Sequence, residues 1–138
     1  MDQNEKLEKG NELMLQFNKA YHRDGTRAPD LIDVVLQDYN DGQILFVASM
    51  NRESLQETLK TRLVVLYSRS RKCLWPKGKT SGDELIVKEI FINCEQNCLL
   101  IKAHPKGGGE CHVKDEKGKT IRSCFYRKLF NNKLNFNQ

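Results

Sequence analysis

Three cysteines, Cys94, Cys111 and Cys124, stand at a C-x16-C-x12-C spacing. Catalytic zinc is commonly held by three protein ligands, with the fourth position left for water. Water held in this way gives up a proton near neutral pH and becomes a nucleophile. The spacing is not that of a zinc finger, which uses closely paired knuckles. His112, next to Cys111, is placed to carry protons. Packing is the competing reading, because small cysteines also fill cores. Around Cys94 the segment Asn93-Cys94-Glu95-Gln96-Asn97, taken as a strand, projects Asn93, Glu95 and Asn97 from one side and Cys94 from the other. Oxygen donors suit a hard cation such as Mg2+, whereas a thiolate suits zinc. Solvated polar strand faces are also common.

A second constellation lies at residues 68–82. Ser68, Arg69, Ser70 and Arg71 are followed by Trp75, Lys77, Thr80 and Ser81. Arginine offers a bidentate fork and lysine a point charge, while hydroxyls and glycine-flanked backbone N–H groups add donors. This is the chemistry of a phosphate-holding loop. Trp75 is available to stack on a base or sugar, although a single Trp also serves well in a core. No acidic residue interrupts Arg69, Arg71, Lys72, Lys77 and Lys79. The same run also reads as a solvated basic loop.

The bulk composition agrees with a small anionic substrate. The chain has 138 residues and a formal net charge of +5, and the basic excess is local rather than spread along a nucleic-acid track. That length buries a core without disulfides. The five cysteines therefore fit a reducing compartment and a metal or reactive thiols better than a disulfide framework. No apolar run approaches the roughly 20 residues that span a bilayer. Residues 1–10 are too polar for a secretory signal, so a cytoplasmic location is expected, with no membrane partner.

The elements that must position these groups read as a β-rich α+β domain with one or two flanking helices. Leu7, Leu13, Met14 and Phe17 suggest an amphipathic helix over residues 1–20, and residues 21–29 a loop. Residues 31–38 and 44–49 form a hairpin around Asn40-Asp41-Gly42. Asn51 caps a helix over residues 52–60, with Ser54 as a second candidate cap. Strands follow at residues 63–67, 85–95, 98–103 and 123–126. Residues 68–82 and 104–109 read as loops, and Lys117-Gly118-Lys119 as a hairpin tip. The domain extends over residues 21–130, and residues 131–138 are an Asn-rich frayed tail.

Read together, these segments resemble the phosphoribosyl-AMP cyclohydrolase family of histidine biosynthesis. The family pattern runs roughly SRSR-x-x-LW-x-KG-x-TSG, then DCD-x-D, a Pro/Gly loop, CH and SCF. This chain has SRSRKCLWPKGKTSG at residues 68–82, NCEQN at 93–97, CH at 111–112 and SCF at 123–125. Residues 31–51 resemble the family's opening hairpin. The resemblance implies a compact domain with a mixed, strongly curved sheet, in an intertwined homodimer whose active sites lie between subunits. It implies zinc-dependent hydrolytic opening of the N1–C6 bond of phosphoribosyl-AMP. Zinc would fall to Cys94, Cys111 and Cys124, with Cys94 from the opposite subunit, and Mg2+ to Asn93, Glu95 and Asn97. Ser68, Arg69, Ser70, Arg71, Trp75, Lys77, Thr80 and Ser81 would bind substrate, and His112 would move a proton.

Three features depart from that pattern. Only Glu95 carries a charge where the family has three aspartates, which implies a weakened Mg2+ site. Asp83 follows the TSG triplet, where the family often has His or Asn. Residues 113–122 lengthen the CH-to-SCF link, a kind of insertion that chains tolerate. Two alternatives remain: a relative hydrolysing another purine-like nucleotide with zinc alone, and a non-catalytic zinc dimer binding a nucleotide or RNA. The scarcity of stacking aromatics argues against RNA.

Overall fold

A computed structural model describes residues 2–136. Its body is a mixed sheet built on one long strand, β2 (Arg27–Asp38). On one edge β2 pairs antiparallel with β3 (Ile44–Met50). On the other it pairs parallel with β7 (Cys98–Pro105), which pairs antiparallel with β6 (Leu85–Ile92). A short β1 (Lys19–Tyr21) adds to the first half of β2. Alternate residues of β2 and β7 explain the core: Ile32, Val34 and Leu36 pack with Leu99, Ile101 and Ala103 on one face. Between β3 and β4 (Val65–Ser68) runs α2 (Arg52–Thr61), which contributes Leu55 to that core. Asn51 and Ser54 exchange side-chain and backbone bonds in a complete capping box.

The α+β class and the mixed sheet are as expected. The strong curvature is not found: the sheet is neither closed nor strongly curled. Curling needs repeated bulges or meeting edges. In the four-strand body the register shifts only at Leu36/Gln37 and Val87/Glu89, and β3 and β6 remain separate edges. Among the described residues, no helix is long and apolar enough to cross a membrane.

Other expectations change in detail. The first helix, α1, covers only Gln3–Lys9 and buries no residue. Beyond Gly10 the chain is extended. The N–H groups of Met14 and Gln16 bond to Gln96, while Leu15 and Phe17 pack on the core. Met1 lies outside the described residues. The expected loop over 21–29 contains the end of β1 and the start of β2. The loop over 68–82 contains β5 (Cys73–Pro76), which forms a hairpin with β4. No strand forms at 123–126. Instead β8 (Arg127–Phe130) and β9 (Lys133–Phe136) pair across Asn131 and Asn132, both at positive φ. The frayed tail is thus an ordered hairpin up to Phe136, and its last two residues lie outside the described ones.

Candidate active site

Glycines and a buried ion pair build the thiol end. Cys111 is buried, and its sulfur accepts the N–H of Val113 at 3.4 Å. Its backbone N–H bonds to the carbonyl of Ile121. A Cβ on Gly109 would lie 2.3 Å from the carbonyl oxygen of Thr120, so only glycine permits this close crossing. Cys124 is fixed by a 2.8 Å bond from its N–H to the carbonyl of Leu45 at the start of β3. Ser123 Oγ donates to the carbonyl of Ile44 at 2.7 Å. Burial first, then its hydrogen bond with Cys111, push the Cys124 thiol up to about 12. Two thiols in contact resist charging, and a bound cation reverses that preference. Arg122 ties this segment to the β2–β3 turn through Asp38 and Asp41, the latter at 2.8 Å.

Beside the thiols lies a buried pair that joins Lys77, expected to bind substrate, to Glu110, which the sequence did not single out. Glu110 is 3% exposed and Lys77 8%, and their charged atoms lie 3.3 Å apart. Neither carboxylate oxygen accepts a hydrogen bond of good geometry. Burial pushes the Glu110 carboxyl up to about 7, with the Lys77 ammonium opposing the shift. The ammonium also sits 5.5 Å from the Phe46 ring centroid and 5.7 Å from that of Trp75. Trp75 thereby connects the thiol end to a cavity of about 360 Å³. Ser68, Arg69, Ser70 and Trp75 line this cavity, as do Tyr67 and Arg23. Arg71, Lys77, Thr80 and Ser81 do not line it. Thr80 and Ser81 belong to a separate exposed turn, closed by the Gly82 N–H on the Gly78 carbonyl. His112 is exposed next to Cys111.

The remaining expected ligands lie at the opposite end of the sheet. Asn93, Cys94, Glu95 and Asn97 form the turn between β6 and β7, not a strand, so strand alternation does not govern them. β6 spans 8 residues between its two ends, roughly 25 Å of chain. Cys94, exposed at the far turn, therefore cannot join Cys111 and Cys124 of its own chain. Among the described residues of one chain, no group of three or more His, Cys, Asp or Glu side chains is arranged to hold a metal. The Cys111–Cys124 pair supplies two thiol donors of the kind that zinc accepts.

The 93–97 turn does not fit Mg2+. Asn93 Oδ1 accepts the backbone N–H groups of Asn97 and Cys98, both at 2.9 Å. That fixes the amide, so Nδ2 faces the trio and donates to Asn97 Oδ1 at 2.6 Å. Asn97 Nδ2 in turn donates to Glu95 Oε2 at 3.0 Å. A hard cation needs free oxygens, whereas here amide hydrogens point where the ion would sit. Gln96, to which the sequence assigned no role, is buried at the centre of this turn. Its side chain accepts the Met14 N–H and donates to the carbonyls of Leu7 and Glu12.

Comparison with known proteins completes the site's description. The family model for phosphoribosyl-AMP cyclohydrolase matches residues 46–126, a span that takes in the serine-arginine loop, the far turn and both paired thiols. A Bordetella avium protein named phosphoribosyl-AMP cyclohydrolase is 48% identical over 102 residues, covering 74% of this chain and 72% of that protein. A Caulobacter sp. protein of the same name is 43% identical over 122 residues, 88% of this chain and 80% of its own length. One from Caulobacter vibrioides is 41% identical over 129 residues, 93% and 82% respectively.

Proposed function

Since the chain belongs to the phosphoribosyl-AMP cyclohydrolase family, hydrolases of histidine biosynthesis that act on a cyclic amidine, we propose that it opens the N1–C6 bond of phosphoribosyl-AMP with zinc and without Mg2+. Water adds at C6 of the adenine ring and the N1–C6 bond breaks. The water oxygen stays on C6 as a carboxamide oxygen, and a proton passes to N1. Cys111 and Cys124 of one chain, with Cys94 of a second copy, hold the zinc in this reading. When bound, zinc supplies the Lewis acidity that makes water a nucleophile near neutral pH.

The chain's own residues do the rest. Arg69, Ser68 and Ser70 hold a substrate phosphate in the cavity through charge-assisted bonds. Trp75, 40% exposed, offers a ring face to the purine. The buried Lys77–Glu110 pair keeps polar groups beside the thiols in a dry setting. His112 exchanges protons between the reacting centre and solvent. The far placement of Cys94 supports a homodimer in this reading, because a three-thiolate site then needs a thiol from a second copy. The single observation that carries the reading is the contact of Cys111 with Cys124 beside Lys77, whose ammonium lies 5.7 Å from the centroid of the cavity-lining Trp75 ring. The 93–97 turn favours a second reading, a different purine nucleotide hydrolysed with zinc alone. Assay of phosphoribosyl-AMP with the zinc-loaded protein separates the two: turnover supports the first, and its absence leaves the second.

A further inference from the structure

The turn between β1 and β2 grips the phosphate loop, and its tip brings an arginine to the cavity. The turn is rigid by itself. His22 and Thr26 exchange a backbone bond of 2.8 Å, Asp24 Oδ1 accepts the Thr26 N–H at 2.9 Å, and Gly25 takes a positive φ of 86°. Four polar contacts then fasten it to residues 67–72. His22 Nε2 meets the Tyr67 hydroxyl at 2.8 Å, and the Arg23 N–H reaches the Arg69 carbonyl at 3.4 Å. Arg69 Nε donates to the Tyr21 carbonyl at 2.8 Å, and Lys72 pairs with Asp24 at 2.7 Å.

The consequence is a specific charge arrangement. Asp24 occupies Lys72, while among the described residues Arg69 engages only its Nε, leaving its terminal guanidinium nitrogens free. Arg23 also lines the cavity, and among the described residues no carboxylate pairs with its guanidinium. The one acid on the cavity wall, Asp33, is matched by Lys19 at 3.6 Å. We infer that Arg23 is a substrate-binding residue that, with Arg69, forms a two-arginine cradle for a phosphate group of the substrate, held in place by the latch between residues 22–26 and 67–72. Two planar forks over serine hydroxyls select a phosphate dianion over a neutral sugar.

The inference rests on the proposed substrate, and its test separates the two. Steady-state kinetics with phosphoribosyl-AMP is run on the wild type, Arg23→Gln and Arg23→Lys, with AMP binding to each measured by calorimetry. A phosphate contact made alike in ground and transition states raises KM and leaves kcat nearly alone. Arg23→Gln is expected to raise KM at least tenfold with kcat within twofold, and to weaken AMP binding by a similar factor. Arg23→Lys is expected to recover part of both, with an unchanged melting temperature in each variant. KM and AMP affinity within twofold of the wild type in Arg23→Gln overturn the inference while the proposed reaction stands. If the wild type shows no turnover, the proposed reaction fails, and AMP affinity alone decides: a tenfold loss in Arg23→Gln supports the cradle, and equal or absent binding overturns it.

Discussion

The two ends of the central sheet carry the two clusters that the sequence marks for metals, and they differ in what their donor atoms are doing. At the Cys111/Cys124 end two thiols meet each other next to a buried ion pair. At the 93–97 end every amide oxygen already accepts a hydrogen bond, and amide hydrogens fill the middle. Residue type marked both ends for metal, the 93–97 end more weakly because only Glu95 is charged there. Orientation separates them: Asn93 Oδ1 is committed to the backbone, and that commitment turns a donor group inward.

The largest effect is expected where the thiols are removed. Cys111→Ser or Cys124→Ser should abolish zinc binding, taking elemental zinc from about one ion per chain to near none. Turnover should fall on the order of a thousandfold, since the water then keeps its ordinary pKa. Cys94→Ser should do the same from the opposite end of the sheet. Mixing Cys94→Ser chains with Cys124→Ser chains should then restore part of the turnover, because one hybrid site has all three thiols. Full zinc content in Cys94→Ser would break the comparison by confining the site to one end of one chain.

A smaller effect is expected at the amide end. Calorimetry with Mg2+ should give no saturable heat in the wild type. Replacing Asn93, Glu95 and Asn97 together by Asp should create Mg2+ binding, by adding two carboxylates to the one already present and removing the inward amides. Without Mg2+ that variant should lose about 1–2 kcal/mol of stability, from broken hydrogen bonds and like-charge crowding. Unchanged Mg2+ affinity in the triple variant would mean that the turn is not a vestige of a cation site.

The smallest expected effect concerns the tether of the thiol end. Burial pushes the Asp38 carboxyl up, but hydrogen bonds from Arg122 and Asn40 more than reverse this and hold it below the ordinary carboxylate range. Its stabilisation is therefore complete above the unfolded value near 3.9 and is lost as pH falls through the lower folded value. Acid unfolding followed by circular dichroism should show a shallower loss in Arg122→Gln than in the wild type. Equal acid limbs would mean that this ion pair does not anchor the segment.

Much of this was legible where local chemistry and tertiary packing agree. Asn51 and Ser54 announce α2, and Asn40-Asp41-Gly42 announces the β2–β3 turn. The sequence failed where tertiary contacts decide. Leu13, Met14 and Phe17 look helical in spacing, but Gln96 draws residues 14 and 16 into an extended arm. Residues 73–76 sit among basic and turn residues, and only pairing with β4 makes them a strand. The Asn131-Asn132 pair was a readable hairpin signal, since Asn tolerates positive φ. For the site, the motif spacings located the thiols and the serine-arginine loop. They could not show that Thr80, Ser81 and Arg71 do not line the cavity, that Glu110 is buried against Lys77, that Arg23 reaches the cavity wall, or that Gln96 is buried in the far turn.

The most direct test is turnover of phosphoribosyl-AMP by the purified protein loaded with zinc, assayed with and without millimolar Mg2+ after removal of free divalent ions. Ring opening at the same rate in both conditions, and none after zinc is stripped, is the expected result. Turnover that persists without zinc, or that starts only when Mg2+ is added, would contradict the division of roles between the two ends of the sheet.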